Sequence, residues 1–179
     1  MALQEFTQEI KNFVHDILQE VHTIIPGRVV SFDPNRCEAS VLPFGNFKTP
    51  GGKLLPFPQL NSVPVFTMQG SGQAASVVFP IKPDDECLVL FSEQTLDTWR
   101  TKAASKTDLK FDMSNAIALV GLFSRPNPLV KTAADKDAVI IDRGGTRIAL
   151  LPNNTVEITG NVTVTGNITA TGAVRGSKI

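Results

Sequence analysis

Thr159-Gly160-Asn161-Val162-Thr163-Val164, Thr165-Gly166-Asn167-Ile168-Thr169-Ala170 and Thr171-Gly172-Ala173-Val174-Arg175-Gly176 follow one another near the end of a 179-residue chain. The Thr-Gly step recurs every six residues. Val156, Ile158, Val162, Val164, Ile168, Ala170 and Val174 all fall on even positions, and so do Gly160, Gly166 and Gly172. Residues of one parity share a face of an extended strand, so the hexads present apolar side chains and glycine to the same side. Units repeated at a fixed spacing cannot bury their apolar face alone. A single-chain β-helix would need several coils of three hexads, whereas this chain has three hexads in all, and a lone strand is not stable in water. The missing partners are therefore expected from other chains. Three identical tails wound about a threefold axis would put the even residues inside, with glycine where backbones turn closely. Such winding leaves no free edge.

Outward from this tail, residues 27–151 read as β-rich. Candidate strands are Arg28–Phe32, Glu38–Leu42, Val63–Met68, Ala75–Phe79, Glu86–Phe91, Ala116–Leu122, Ala138–Asp142 and Arg147–Leu151. They are short, rich in Val, Ile and Phe, and separated by Pro, Gly and Asp. Glu93–Ala103, with Leu96 and Trp99 three apart, reads as a short inserted helix, with Trp99 as its core anchor. Lys102–Lys110 reads as a surface loop. Five or six strands with one insertion are compatible with a small OB-type barrel. Before the barrel, residues 3–25 read as one amphipathic helix. Leu3, Phe6, Ile10, Phe13, Val14, Ile17, Leu18, Val21 and Ile24 recur at spacings of three and four, and Pro26-Gly27 stops the run.

Composition narrows the function classes. Seventeen basic and seventeen acidic residues cancel, and no two basic residues are adjacent, so no nucleic-acid footprint is expected. No secretory leader and no membrane-spanning helix are expected, and the Asn-x-Thr triplets at Asn153, Asn161 and Asn167 follow from the repeat rather than from glycosylation. Cys37 and Cys87 read as free buried thiols. Tyr is absent and there are two His, His15 and His22, too few for a metal site or for acid–base catalysis. Asp84-Asp85-Glu86 reads as a solvated turn, and Gly70-Ser71-Gly72 and Gly144-Gly145 read as hairpin turns. No catalytic residue, metal ligand or cofactor is expected, and the chain reads as a non-enzyme.

Taken in order, Pro26-Gly27-Arg28-Val29-Val30-Ser31-Phe32-Asp33-Pro34, Leu60-Asn61-Ser62-Val63-Pro64-Val65-Phe66, Phe79 to Phe91, Leu96-Asp97-Thr98-Trp99-Arg100 and Asp112 to Leu122, followed by the hexads, make the chain similar to a known family. It resembles the central spike proteins of contractile phage baseplates and related injection devices, which carry an OB-fold domain followed by a triple-stranded β-helix. The resemblance covers about residues 26–175. It implies a homotrimer in a virion or phage-like particle, made in the host cytoplasm. The expected organisation is an amphipathic helix (1–25), an OB-like barrel (26–151) and a shaft (152–179). The shaft core would be Val156, Ile158, Val162, Val164, Ile168, Ala170 and Val174, turning at Gly160, Gly166 and Gly172. Phe6, Ile10, Phe13, Ile17 and Val21 would dock on the tail hub or tube, and a separate protein could cap the tip. The bacterial envelope would be the mechanical target.

Two departures stand out. Family members often have Pro-Gly-Asp-Glu-Cys where this chain has Pro83-Asp84-Asp85-Glu86-Cys87, so the turn forms without glycine. Some end in a His-x-His that binds iron, whereas this chain has no His after His22, so no metal tip is expected. The alternative reading is an OB-type module for oligosaccharide or single-stranded nucleic acid, using Phe44, Phe47, Lys48, Lys53 and Phe57. Four prolines and three glycines in residues 43–58 favour a packing loop there instead.

Overall fold

A computed structural model describes residues 2–49, 52–104 and 109–176. The Leu3 side chain, part of the 102–110 loop and the last three residues of the expected shaft lie outside the described residues. The chain divides into two compact units, 1–124 and 125–179. It is mainly β, with a few helices.

The first unit opens with helix α1 (Ala2–Glu20). It stops short of the expected Ile25, because Ile24 and Ile25 already belong to strand β1 (Ile24–Asp33). Their apolar spacing continues the helical stripe, but pairing with Leu90 and Val89 on a neighbouring strand decides their state. Pro26 sits within β1, where its carbonyl accepts from Phe44 N at 2.8 Å. Gly27 follows at a close approach: a Cβ there would lie 3.0 Å from Leu42 O and 3.1 Å from Val89 Cγ2.

Strand β2 (Glu38–Pro43) returns antiparallel to β1, with a bulge between Val29 and Ser31 that bends the pair. A two-stranded excursion follows, β3 (Asn46–Lys48) with β4 (Leu54–Pro56). Strand β5 (Leu60–Pro64) pairs with β2. The expected strand 63–68 is thus broken, its last residue opening a hairpin of β6 (Met68–Gly70) and β7 (Ala75–Val77). Strand β8 (Glu86–Phe91) pairs with the other side of β1. Helix α2 (Leu96–Thr101) comes next, then β9 (Ala116–Val120), which pairs with β8.

The sheet order is therefore β5-β2-β1-β8-β9. It curls until its ends meet: Val65, just after β5, bridges Ala118 in parallel, and Phe66 N donates to Ala118 O at 2.8 Å. Alternation along the strands fills the inside with Val29, Ala39, Val41, Val63, Val65, Cys87, Val89, Phe91, Ala116 and Ala118. Before β8, Asp84 takes φ +71 without glycine, a left-handed conformation that Asp tolerates, and pairs with Arg28 at 2.6 Å.

The second unit holds helix α3 (Pro128–Lys136) and strands β10 (Val139–Arg143), β11 (Thr146–Leu150) and β12 (Val156–Thr159). Helix α3 starts with Asn127 accepting from Leu129 N at 2.9 Å and Pro128 in the first turn. The spacing of β10 and β11 assigns them to the barrel, but they form a separate antiparallel sheet with β12. Gly144-Gly145 makes the β10–β11 turn, both at positive φ. The shaft expected over 152–179 is a regular strand only at Val156–Thr159. Residues 160–176 of the single chain are irregular and exposed, and no triple-stranded helix is seen.

Candidate functional site

Register within the second unit gathers six aliphatic side chains. Val139, Leu150 and Val156 stand opposite one another across β10, β11 and β12, and two residues along each strand Ile141, Ile148 and Ile158 do the same. Cross-strand partners share a face, and so do residues two apart. The result is a grid of two rows of three aliphatic side chains. Each of the six is between 41 % and 64 % exposed.

The opposite face carries Ile140, Ala149 and Glu157 in one row. Helix α3 packs along β10, Ala149 is buried, and Lys136 Nζ lies 3.1 Å from Glu157 Oε2. On this side Ala149 is buried and the end of α3 is tied to β12, while the aliphatic side stays open. Arg147 and Asp142 pair at 2.9 Å at the turn end.

Val156 and Ile158 belong both to this grid and to the even-numbered series of the tail. Val162, Val164, Ile168, Ala170 and Val174 continue that series and are exposed. Gly160 and Gly166 take φ of +118 and +133. A Cβ at Gly160 would also crowd Thr146 Cγ2 at 3.3 Å, so glycine is required there. Gly172 is exposed. Of the residues expected in the shaft, Val156 and Ile158 lie on this surface, and Val139, Ile141, Ile148 and Leu150 were not expected on it. Alternation along both strands and the two-glycine turn show which of these residues share a face, but not that the tail joins their sheet.

In the first unit, Phe6, Ile10, Phe13 and Ile17 lie on α1 and Val21 just beyond it, and all five are exposed. His22 packs its ring against Phe57 (centroids 5.7 Å apart) and Phe91 (5.5 Å). Near it, Asp112 is held below the usual carboxylate range, first by the hydroxyl and then by the backbone N–H of Ser114. Cys37 and Cys87 are both free. Among the described residues, no group of three or more His, Cys, Asp or Glu is placed to hold a metal, and no helix is long and apolar enough to cross a membrane.

Of the aromatic set at 44–57, Phe44 is exposed and Phe57 is not. Phe57 is buried and packs on Phe47 at 5.7 Å as well as on His22. Trp99, read as a core anchor, is 56 % exposed, and Leu96 is the buried residue of α2. The helix has only six residues, and a step of three residues turns the side chain about 60° from Leu96.

No curated protein matches the chain. Residues 25–121, which cover all of the curled sheet but Ile24 at the start of β1, match the family described as phage protein Gp138 N-terminal domain. That span is more than half of the sequence, and the chain belongs to the phage Gp138 N-terminal domain family.

Proposed function

We propose that the protein is the central spike of a contractile tail baseplate, a homotrimer that helps to breach the bacterial envelope as the sheath contracts. The observation that carries this reading is the open aliphatic grid of β10–β12 in phase with the hexads. A face of six half-exposed aliphatic residues, followed in sequence by a tail whose apolar residues keep the same parity, has the chemistry of a self-association surface. Further burial is worth about 1 kcal/mol per side chain, hence on the order of 6 kcal/mol per chain from the grid alone. Three tails would also supply the backbone partners that residues 160–176 lack as a single strand.

The order β5-β2-β1-β8-β9 with a parallel closing bridge supports an OB-type barrel in the first unit. The exposed stripe of α1 is the surface to dock on the tail hub or tube, and a separate protein can cap the tip. The work is mechanical: a rod of interchain hydrogen bonds around a dry Val/Ile core transmits thrust, so no catalytic group or cofactor is needed.

Size-exclusion chromatography with light scattering tests the proposal. The full chain is expected at three times 19.3 kDa, and deletion of residues 155–179 is expected to give a monomer. A monomeric full chain at micromolar concentration would sink the spike reading. A deletion that stays trimeric would move the clamp from the tail to the folded units.

A further inference from the structure

A cleft of about 810 Å³ opens on the first unit, between the end of β5, the β6–β7 hairpin and α2. Its walls combine three kinds of chemistry. Trp99 and Phe66 supply aromatic surface, each 56 % exposed. Thr67, Gln69 and Gln73 supply a hydroxyl and two amides. Arg36, Arg100 and Lys102 supply positive charge, against the single acid Glu38.

The charged wall is organised. Glu38, whose side chain is only 15 % exposed, accepts from Arg36 Nε at 2.9 Å through one oxygen and lies 3.3 Å from Arg100 Nη1 through the other. Arg100 Nη2 also donates to Ser62 O at 2.7 Å. Both guanidinium groups are therefore held in place by one carboxylate. These contacts engage the Nε edge of Arg36 and leave its pair of terminal amino groups to present to a ligand. A fixed guanidinium suits a carboxylate or phosphate, which it can grip with two parallel hydrogen bonds. The wall keeps two positive charges in excess of Glu38, although the chain as a whole is neutral.

We propose that this cleft binds an acidic sugar, meaning a saccharide unit bearing a carboxylate or phosphate. The anionic group sits on the Arg36–Arg100–Lys102 wall, a sugar ring stacks on Trp99, and Gln69, Gln73 and Thr67 take its hydroxyls. A single compact cationic wall fits one anionic group per unit. A nucleic acid strand would need positive charge tracking several successive phosphates. The cleft lies wholly within residues 36–117, so the inference stands or falls separately from trimerisation of the tail.

Trp99 is the chain's only tryptophan, so its fluorescence reports the cleft directly. The full-length protein is titrated with tri-galacturonate, glucose 6-phosphate, neutral maltotriose and a short single-stranded thymidine oligonucleotide. Saturable change of Trp99 emission is expected with at least one acidic sugar, and which one responds separates carboxylate from phosphate. Maltotriose is expected to bind at least about tenfold more weakly, the loss of one charged contact. Arg36→Gln is expected to weaken the acidic sugar about tenfold, and Lys102→Gln, on an exposed side chain, provides a second variant whose fold is safe. Circular dichroism melting checks that each variant is native. No response to either acidic sugar would overturn the proposal, as would equal binding of maltotriose or no effect of both substitutions. Tighter binding of the oligonucleotide would make the cleft a nucleic-acid site instead.

Discussion

Ile148 of β11 stands in register with Ile158 of β12, both on the uncovered side of the sheet. Ile148 precedes the tail and Ile158 belongs to it, so the folded unit and the repeat share one apolar surface. Replacing Ile158 with Asp places a charge on that surface while leaving the α3 side intact. Association is expected to weaken by about 2–3 kcal/mol per protomer. Sedimentation velocity would show a shift toward monomer at micromolar concentration, and Ile148→Asp should do the same. An unchanged sedimentation coefficient in both variants would remove the grid from the interface.

Gly27 of β1 has no room for a side chain between its neighbours. Gly27→Ala puts a methyl 3.0 Å from Leu42 O and 3.1 Å from Val89 Cγ2, and overpacking of this kind costs about 1–3 kcal/mol. Because Leu42 O is backbone, relief requires the strands to part. A drop in the thermal midpoint is expected, whereas Gly70→Ala, where nothing lies within 4 Å, serves as the comparison and should change little.

Asn115 is buried and ties three segments together. Its Oδ1 accepts from Leu96 N at 3.2 Å and its Nδ2 donates to Leu109 O at 3.1 Å. Asn115→Ala leaves the first N–H of α2 without that partner, at a cost of about 1–3 kcal/mol. Since α2 carries Trp99 and Arg100, the substitution is also expected to change Trp99 emission in the native state. Urea unfolding and the emission spectrum read the two effects on one sample.

Cys87 is fully buried in the curled sheet, and burial pushes its thiol from 9.0 up to about 11. Below pH 9 the group is protonated in both folded and unfolded chains and has no effect on stability. Between pH 9 and about 11 the unfolded chain ionises this thiol and the folded one does not, so stability falls with a slope of up to about 1.4 kcal/mol per pH unit. Tyr is absent, which leaves thiols and amines to titrate there. The melting temperature of the wild type should fall more steeply over this range than that of Cys87→Ala, and parallel profiles would refute the assignment.

Much of the sheet was legible because its strands alternate. Glu86–Phe91 and Glu38–Leu42 place every second side chain inside, and a curled sheet with one apolar side needs that pattern. The boundary at Ile24 was not legible, because a spacing of three from Val21 continues a helical stripe and only pairing with Leu90 overrides it. Helix α3 was missed although Asn127-Pro128 is a start signal, since its apolar content is slight. The shared face of Val156 and Ile158 could be read directly from their parity. Its other half on β10 and β11 could not, because the period-two pattern shows which residues share a face without showing which sheet they join. The cleft was out of reach for a simpler reason: Arg36 and Arg100 lie far apart in sequence and meet only through Glu38.

The junction of Val65 with Ala118 has a consequence for how copies of the chain can meet. Strands that are added to a sheet need an edge whose N–H and C=O groups are free. In the curled sheet the two outermost strands run into each other, so it offers little to an incoming strand. The second unit lacks such a junction among the described residues: beyond β12 its sheet has no further neighbour. The outer edges of this sheet, at β10 and at β12, are thus where a strand from another copy would find free backbone groups, and association made there would draw on the second unit rather than on the curled sheet.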